Sequence, residues 1–348
     1  MTKILRIDSS ARHDGSASRE LATRLIERLG PDTDVKVRDL AAGVPLLSES
    51  TLTAMLAARW RATGGDINAS GDTTKLVGYT TSQSHSSIEK GFRIAGIGTD
   101  NMRIVPHDEH FAMRPDAFAE LVTTDLAAGL TPFFVVTSHG TTSSLAFDPT
   151  PAIAAVARNH GIWVHVDAAM SGIAALSPEY RWVNEGLDQA DSYTTNPHKW
   201  MGINFDCNLF WVADRAALIG ALSVLPPYLA SEAAQSGAAI DYRDWQVPLG
   251  RRFRALKLWL VFQHYGAEGL RTALRDHIAI AQEFADMVDA DPDWIRCAPS
   301  PISLVCIRHR DGDERTRSVL EAINASGEAM LSHTKLDGHY VIRVSIGQ

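Results

Sequence analysis

Short apolar or β-branched runs alternate along the chain with stretches whose apolar residues recur at helical spacing. Ile4 to Asp8, Val35 to Arg38, Leu76 to Thr80, Arg103 to Pro106, Phe133 to Thr137, Trp163 to Asp167, Ser192 to Thr195 and Leu209 to Val212 read as strands. Between them, Ala17 to Leu29, Thr51 to Ala62, Pro115 to Ala128 and Pro151 to Asn159 read as helices. Strand, helix and strand in succession predict parallel pairing with crossover helices, an α/β architecture. From about Gly250 the pattern changes to long helical stretches through Val288. Two β-type runs follow, Ser303 to Arg308 and Tyr340 to Val344, around a helix near Glu314 to Asn324. That order predicts a smaller α+β domain, incomplete because the sequence stops at Gln348 with no helix after the last strand.

Composition narrows the class. The 348 residues are 45% hydrophobic and 21% charged, enough apolar material for more than one domain. The formal net charge is -8, and the dense basic run Arg251, Arg252, Arg254 and Lys257 lies inside an apolar-periodic stretch. It reads as the charged face of a helix with some subunit contacts, which argues against a nucleic-acid partner. Cys207, Cys297 and Cys306 have unrelated spacings, so neither a disulfide framework nor a metal site is expected, and a reducing cytoplasm is the natural location. The N-terminus lacks the apolar core of a signal peptide and no apolar run is long enough to span a bilayer, so membrane and export are not expected.

Lys199, between His198 and Trp200 after a predicted strand, would alone read as a surface lysine. Asp167 ends a buried-type strand, where open α/β sheets place functional groups, but where an aspartate can equally cap the next helix. Together they match pyridoxal chemistry. One lysine forms an imine with the cofactor aldehyde, and one carboxylate keeps the pyridine nitrogen protonated so that the ring accepts the electrons left by carbon dioxide.

Six segments then resemble, in order, the group II pyridoxal-dependent decarboxylases, the family of aromatic-L-amino-acid decarboxylase. They are SQSHSSIEKG (Ser82 to Gly91), PFFVVTSHGTTSS (Pro132 to Ser144), HVDAAMSG (His165 to Gly172), NPHKW (Asn196 to Trp200), NFDC (Asn204 to Cys207) and DYRDWQVPLGRRFRALKLW (Asp241 to Trp259). The resemblance runs from about Ser48 to Gln348. It implies the fold of pyridoxal-phosphate (PLP) dependent transferases of fold type I, with a PLP-binding large domain over residues 48–256 and a truncated small domain over residues 257–348.

Carried over position by position, the resemblance makes Lys199 the imine lysine and Asp167 the partner of the ring nitrogen. It makes His85 a ring that stacks on the cofactor, where a lone histidine would otherwise read as core or surface. Thr142 is similar to a threonine beside the cofactor ring, and Asn196 to a phosphate-side ligand, with turn formation as its bland alternative. His198 is similar to the active-site histidine preceding the lysine. Tyr228, ahead of a small, polar, loop-like stretch, resembles the tyrosine that returns a proton after carbon dioxide leaves, which favours an amine product over an aldehyde. Phe205 resembles a residue lent across a subunit interface, with core packing as the alternative, and Gly250 a position linked to indolic substrates. An amino-acid substrate, aromatic by preference, and a homodimer are implied.

Residues 1–47 depart from the family. KILRIDSSARHDGSASRELATRLIERL and DVKVRDLAAGVPLL resemble the start of a flavodoxin-like, FMN-dependent NADH-azoreductase. Ser9, Ser16 and Ser18 could present hydroxyls to a phosphate at a helix N-terminus, or form a solvated turn with a helix cap. Ser48 aligns with a serine that binds the cofactor phosphate, but Leu47 replaces the small residue before it. Ser138 and His139 stand where the family prefers a threonine and an apolar residue. Three functions remain open: an amino-acid decarboxylase, a fused or truncated relic that binds PLP without a competent dimeric site, and an FMN-binding module.

Overall fold

The computed structural model describes residues 2–8, 23, 33–39, 49–224, 242–250 and 252–347. It forms two compact units, Met1–Leu47 and Ser48–Gln348. In the first, β1 (Thr2–Asp8) and β2 (Thr33–Asp39) pair in parallel, Thr2 opposite Thr33 and Asp8 opposite Asp39.

The second unit opens with α1 (Glu49–Ala62) and then alternates β3 (Leu76–Thr81), α2 (Ser87–Ile94), β4 (Met102–Val105), α3 (Pro115–Ala127), β5 (Thr131–Ser138), α4 (Thr150–Asn159) and β6 (Trp163–Asp167). β7 (Ser192–Thr195), a single helical turn α5 (Pro197–Trp200), β8 (Leu209–Val212) and α6 (Arg215–Leu222) follow. The strands form one six-stranded sheet in the order β4-β3-β5-β6-β7-β8. All neighbours are parallel except β7 and β8. That exception corrects the expectation of uniform parallel pairing. The connection from β7 to β8 carries only the turn α5 in place of a full crossover helix, so the chain folds back at the same end of the sheet and β8 returns antiparallel.

Both faces of the sheet are covered, which explains why β3 is buried at every residue and β5 at every residue after Thr131. On one face Phe118 and Val122 of α3 and Ile153 and Ala157 of α4 pack on Val77, Tyr79, Val135 and Val164. On the other lie α1 and α2, with Met55, Phe92, Phe133 and Phe134 almost wholly buried. His165 belongs to this second layer: its ring stacks on Phe134 at 6.0 Å and its Nδ1 lies 2.9 Å from Ser192 Oγ. Each fully buried side chain of this size contributes about 2 kcal/mol of apolar burial.

The chain then enters α7 (Arg254–Ala290), broken at Gly266, where φ is 66° and ψ 171°. Leu270, Leu274, Ile278, Ala281, Ala285 and Val288 form its buried stripe, at the spacing of one helix face. β9 (Trp294–Arg296), β10 (Leu304–His309), α8 (Asp313–Ser326), β11 (Ser332–Leu336) and β12 (His339–Ser345) complete the unit. Their sheet is antiparallel in the order β11-β12-β10-β9. β9 and β11 were not expected from the sequence: the first has three residues, and the second is an edge strand in which only Leu336 is buried. Among the described residues no helix is long and apolar enough to cross a membrane, and no cluster of His, Cys, Asp or Glu could hold a metal ion.

Candidate active site

The carboxyl ends of β3, β5, β6 and β7 lie side by side, and six of the expected site residues, His85, Thr142, Asp167, Asn196, His198 and Lys199, issue from them. In parallel sheets the loops leaving these ends are free to carry chemistry while the strands hold them in register. Asp167 is the last residue of β6, opposite Ser138 of β5 and Thr194 of β7. Its carbonyl accepts the His139 N–H at 2.8 Å, and its Oδ1 accepts the Ala169 N–H at 3.0 Å. The Ala168 N–H donates to Thr194 O at 3.0 Å and the Asn196 N–H to Ala169 O at 2.8 Å, tying the exits of β6 and β7 together.

α5 leaves β7 at once. Pro197 occupies its first turn, where the missing N–H costs nothing, and the Lys199 N–H donates to Asn196 O at 2.8 Å. Lys199 is half-buried, and among the described residues no hydrogen bond or ion pair engages its Nζ. His198 is turned the other way: its Nδ1 lies 2.7 Å from the Cys207 carbonyl, and its ring meets Phe205 edge-on at 4.5 Å. Phe205 itself is 51% exposed.

Electrostatics join three of these groups. Burial holds the Lys199 amine below the ordinary lysine range; Asp167 opposes that depression and Arg343, from β12, adds to it. His85, in the loop after β3, is likewise held below the usual imidazole range, first by partial enclosure and then by Lys199, with Asp167 acting in the opposite sense. The Ser87 N–H donates to His85 Nδ1 at 3.2 Å, which leaves the neutral ring's proton on Nε2. Burial also depresses His198, with Lys199 adding to the effect.

The remaining expected residues are placed as follows. Asn196 is buried and its Oδ1 accepts from Asn208 Nδ2, which also donates to Thr194 Oγ1 at 3.0 Å. Asn208 in turn accepts from Ser50 Oγ. This chain from α1 to the exit of β7 went unnoticed in the sequence, because Asn208 directly after the NFDC segment carries no local signal of its partners. Thr142 is exposed in the loop after β5, a loop closed by Thr141 Oγ1 accepting the Ala146 N–H at 2.9 Å. Ser48 and Tyr228 lie outside the described residues.

A pyridoxal cofactor requires an amine free to react and a carboxylate at fixed distance from it, in a site where the ring can be flanked. Lys199 Nζ, without a partner among the described residues, Asp167 on the neighbouring strand end with one oxygen engaged by Ala169, and His85 in the electrostatic field of both fit that requirement.

Comparison with known proteins agrees. Residues 31–310 match the pyridoxal-dependent decarboxylase conserved domain. Over 86% of its length the chain is similar to a phenylacetaldehyde synthase of Arabidopsis thaliana (43% identity) and to an aromatic-L-amino-acid decarboxylase of Mus musculus (40% identity), covering 63% of each. Its structure is similar to the crystal structure of Oryza sativa TDC with PLP and tryptamine, with a TM-score of 0.82 and 37% identity over 87% of this chain and 65% of that one. The chain thus spans less than two thirds of the length of these relatives. Its matched domain and its fold type I architecture place it together with them: the chain belongs to the pyridoxal-dependent decarboxylase family.

Proposed function

We propose that the protein is a carboxy-lyase that uses PLP to convert an aromatic L-amino acid to its amine and carbon dioxide. The observation that carries this reading is the half-buried Lys199 amine, depressed by burial and facing the charge of Asp167. PLP, when bound, supplies an electron sink for the pair released as the carboxyl carbon departs. A depressed amine is unprotonated, hence nucleophilic, in a larger share of molecules at neutral pH. Asp167 supplies the negative charge that stabilises a protonated ring nitrogen, and His85 supplies a flat, neutral ring to stack on the cofactor. Asn196 serves the phosphate side, seated by Asn208, with Ser48 as a further phosphate ligand and Thr142 beside the ring. His198 is taken as an active-site group next to the lysine, and Tyr228 as the acid that delivers the final proton.

Residues 48–256 are taken as the PLP-binding domain and 257–348 as part of the small domain, in a cytoplasmic homodimer. Supporting the dimer, Phe253 just before α7 and Trp259, Leu260 and Tyr265 on its first half leave large apolar surface exposed. The parallel β1–β2 pair supports reading 1–47 as a flavodoxin-like fragment.

The test is to add PLP to the purified chain and supply tryptophan, tyrosine or phenylalanine. A visible cofactor band that Lys199→Ala abolishes, together with an amine product, is expected. A band without amine would identify a cofactor-binding relic. Yellow protein retaining FMN through desalting would instead favour a flavin module.

A further inference from the structure

Trp200 follows Lys199 directly and closes the turn α5. Its side chain is 3% exposed, and its Nε1–H donates to Nδ1 of His277, on the second half of α7, at 3.1 Å. Gly347, in the turn after β12, closes over the same bond at a φ of +87°. A Cβ at that position would stand 2.4 Å from His277 Nδ1 and 2.5 Å from Trp200 Nε1, closer than any side chain can approach. Three segments remote in sequence therefore converge on one hydrogen bond adjacent to the lysine.

The turn needs such support. An isolated helical turn has no stability of its own, and the backbone bonds that hold α5 include Lys199 N–H to Asn196 O at 2.8 Å, Met201 N–H to Pro197 O at 3.1 Å and a long His198 N–H to Cys207 O bond of 3.3 Å. Apolar packing of Trp200 in the cluster with Leu270, Leu274 and Ile278 resists its withdrawal but does not specify the rotation of the indole about its own axis. A directional bond does. An indole N–H can only donate, so Nδ1 of His277 must be the bare nitrogen, and the ring proton sits on Nε2.

Resting on the reading of Lys199 as the cofactor lysine, we infer that His277 is a positioning residue: by accepting the Trp200 indole N–H beneath Gly347, it fixes the turn that aims the Lys199 amine at Asp167. His277 touches neither the lysine nor the reacting atoms. Asp167, Arg343, His85 and His198 are the charged or titratable groups that face Lys199, and all four stay in place in the variants below.

The full chain, without added cofactor, is labelled by an amine-reactive acetylating reagent across a pH series, and modification of Lys199 is followed by mass spectrometry. Its midpoint reports how buried the amine is. In His277→Leu and in Gly347→Ala the loosened turn should let the amine reach water. The midpoint should then rise by about one unit, roughly a tenfold smaller unprotonated fraction below it. Gly347→Ala lies in an exposed turn and keeps the folded core even if His277→Leu does not. His277→Asn, whose Oδ1 can accept the indole N–H, should stay within about twofold of the unmodified protein, a rescue that a merely space-filling role would not give. Unchanged midpoints in both His277→Leu and Gly347→Ala overturn the inference. If Lys199→Ala still forms the visible band with PLP, the reading of Lys199 itself fails, whatever the midpoints do.

Discussion

The Asp167 carboxylate and the Lys199 amine issue from the carboxyl ends of adjacent parallel strands, and the charge of the first partly offsets what burial does to the second. Asp167→Asn removes that offset while keeping the side-chain shape. The Lys199 titration midpoint should fall further, and decarboxylation should fall by about 100-fold or more, because a neutral amide cannot hold a positive charge opposite it. Lysine labelling and amine production by chromatography measure the two effects separately. An activity loss with an unmoved midpoint would mean that the two groups are not electrostatically linked.

Tyr228→Phe should redirect the product. Without the phenol to return the proton, amine formation should drop by about two orders of magnitude, while dissolved dioxygen takes the electron pair and is reduced to hydrogen peroxide, and water hydrolyses the resulting imine to aldehyde and ammonia. A peroxide-coupled dye assay beside amine chromatography checks it. Equal loss of amine and aldehyde would remove Tyr228 from the proposed role.

Acid should weaken the fold. Burial holds His139 and His165 down to about 4, so below pH 6.5 the unfolded chain takes up two protons that the folded chain refuses. Their stabilising effect is complete above pH 6.5 and is lost as pH falls toward 4. Asp148 acts oppositely: burial raises it to about 7, so the folded chain binds its proton first and acidification from 7 toward 3.8 relieves a penalty. Two groups against one leave a net loss of about 2 kcal/mol between pH 7 and 4. Urea unfolding at a series of pH values should record the decline, and Asp148→Asn should steepen it. A flat profile in both proteins would contradict the assignment.

The Asp125 carboxylate in α3 is 5% exposed and fully engaged: Tyr79 donates its hydroxyl at 2.9 Å, and Arg103 donates from Nη2 at 2.8 Å and Nε at 3.0 Å. Asp125→Ala strands a guanidinium and a phenol and should cost about 3–5 kcal/mol. Tyr79→Phe removes one neutral donor and should cost about 1 kcal/mol. Thermal or urea unfolding distinguishes them, and equal costs would argue against the carboxylate as the centre of the network.

Much of this molecule was legible before its structure. β6, β7 and β8 fall at the residues their β-branched and apolar runs indicate, and α3 starts at Pro115; burial of the parallel strands β6 and β7 and proline at a helix start leave local marks in composition. The antiparallel return of β8 was not legible, since direction depends on where the chain travels after the strand. β9 and β11 were missed for a related reason: an edge strand is specified by its neighbour's unpaired backbone, which has no side-chain signature.

The site divides along the same line. The residues of NPHKW and HVD were sufficient, by resemblance, to nominate Lys199 and Asp167, because the chemistry demands those residue types and those types recur in a recognisable local frame. Their neighbours were decided only in three dimensions. Asn208 beneath Asn196, Arg343 of β12 in the field of Lys199, and His277 with Gly347 around Trp200 lie between 12 and 147 residues from the groups they serve. No local pattern encodes such partners. A hydrogen bond or a charge acts through space over a few ångströms, whereas the sequence orders residues along the chain, and only folding converts one distance into the other.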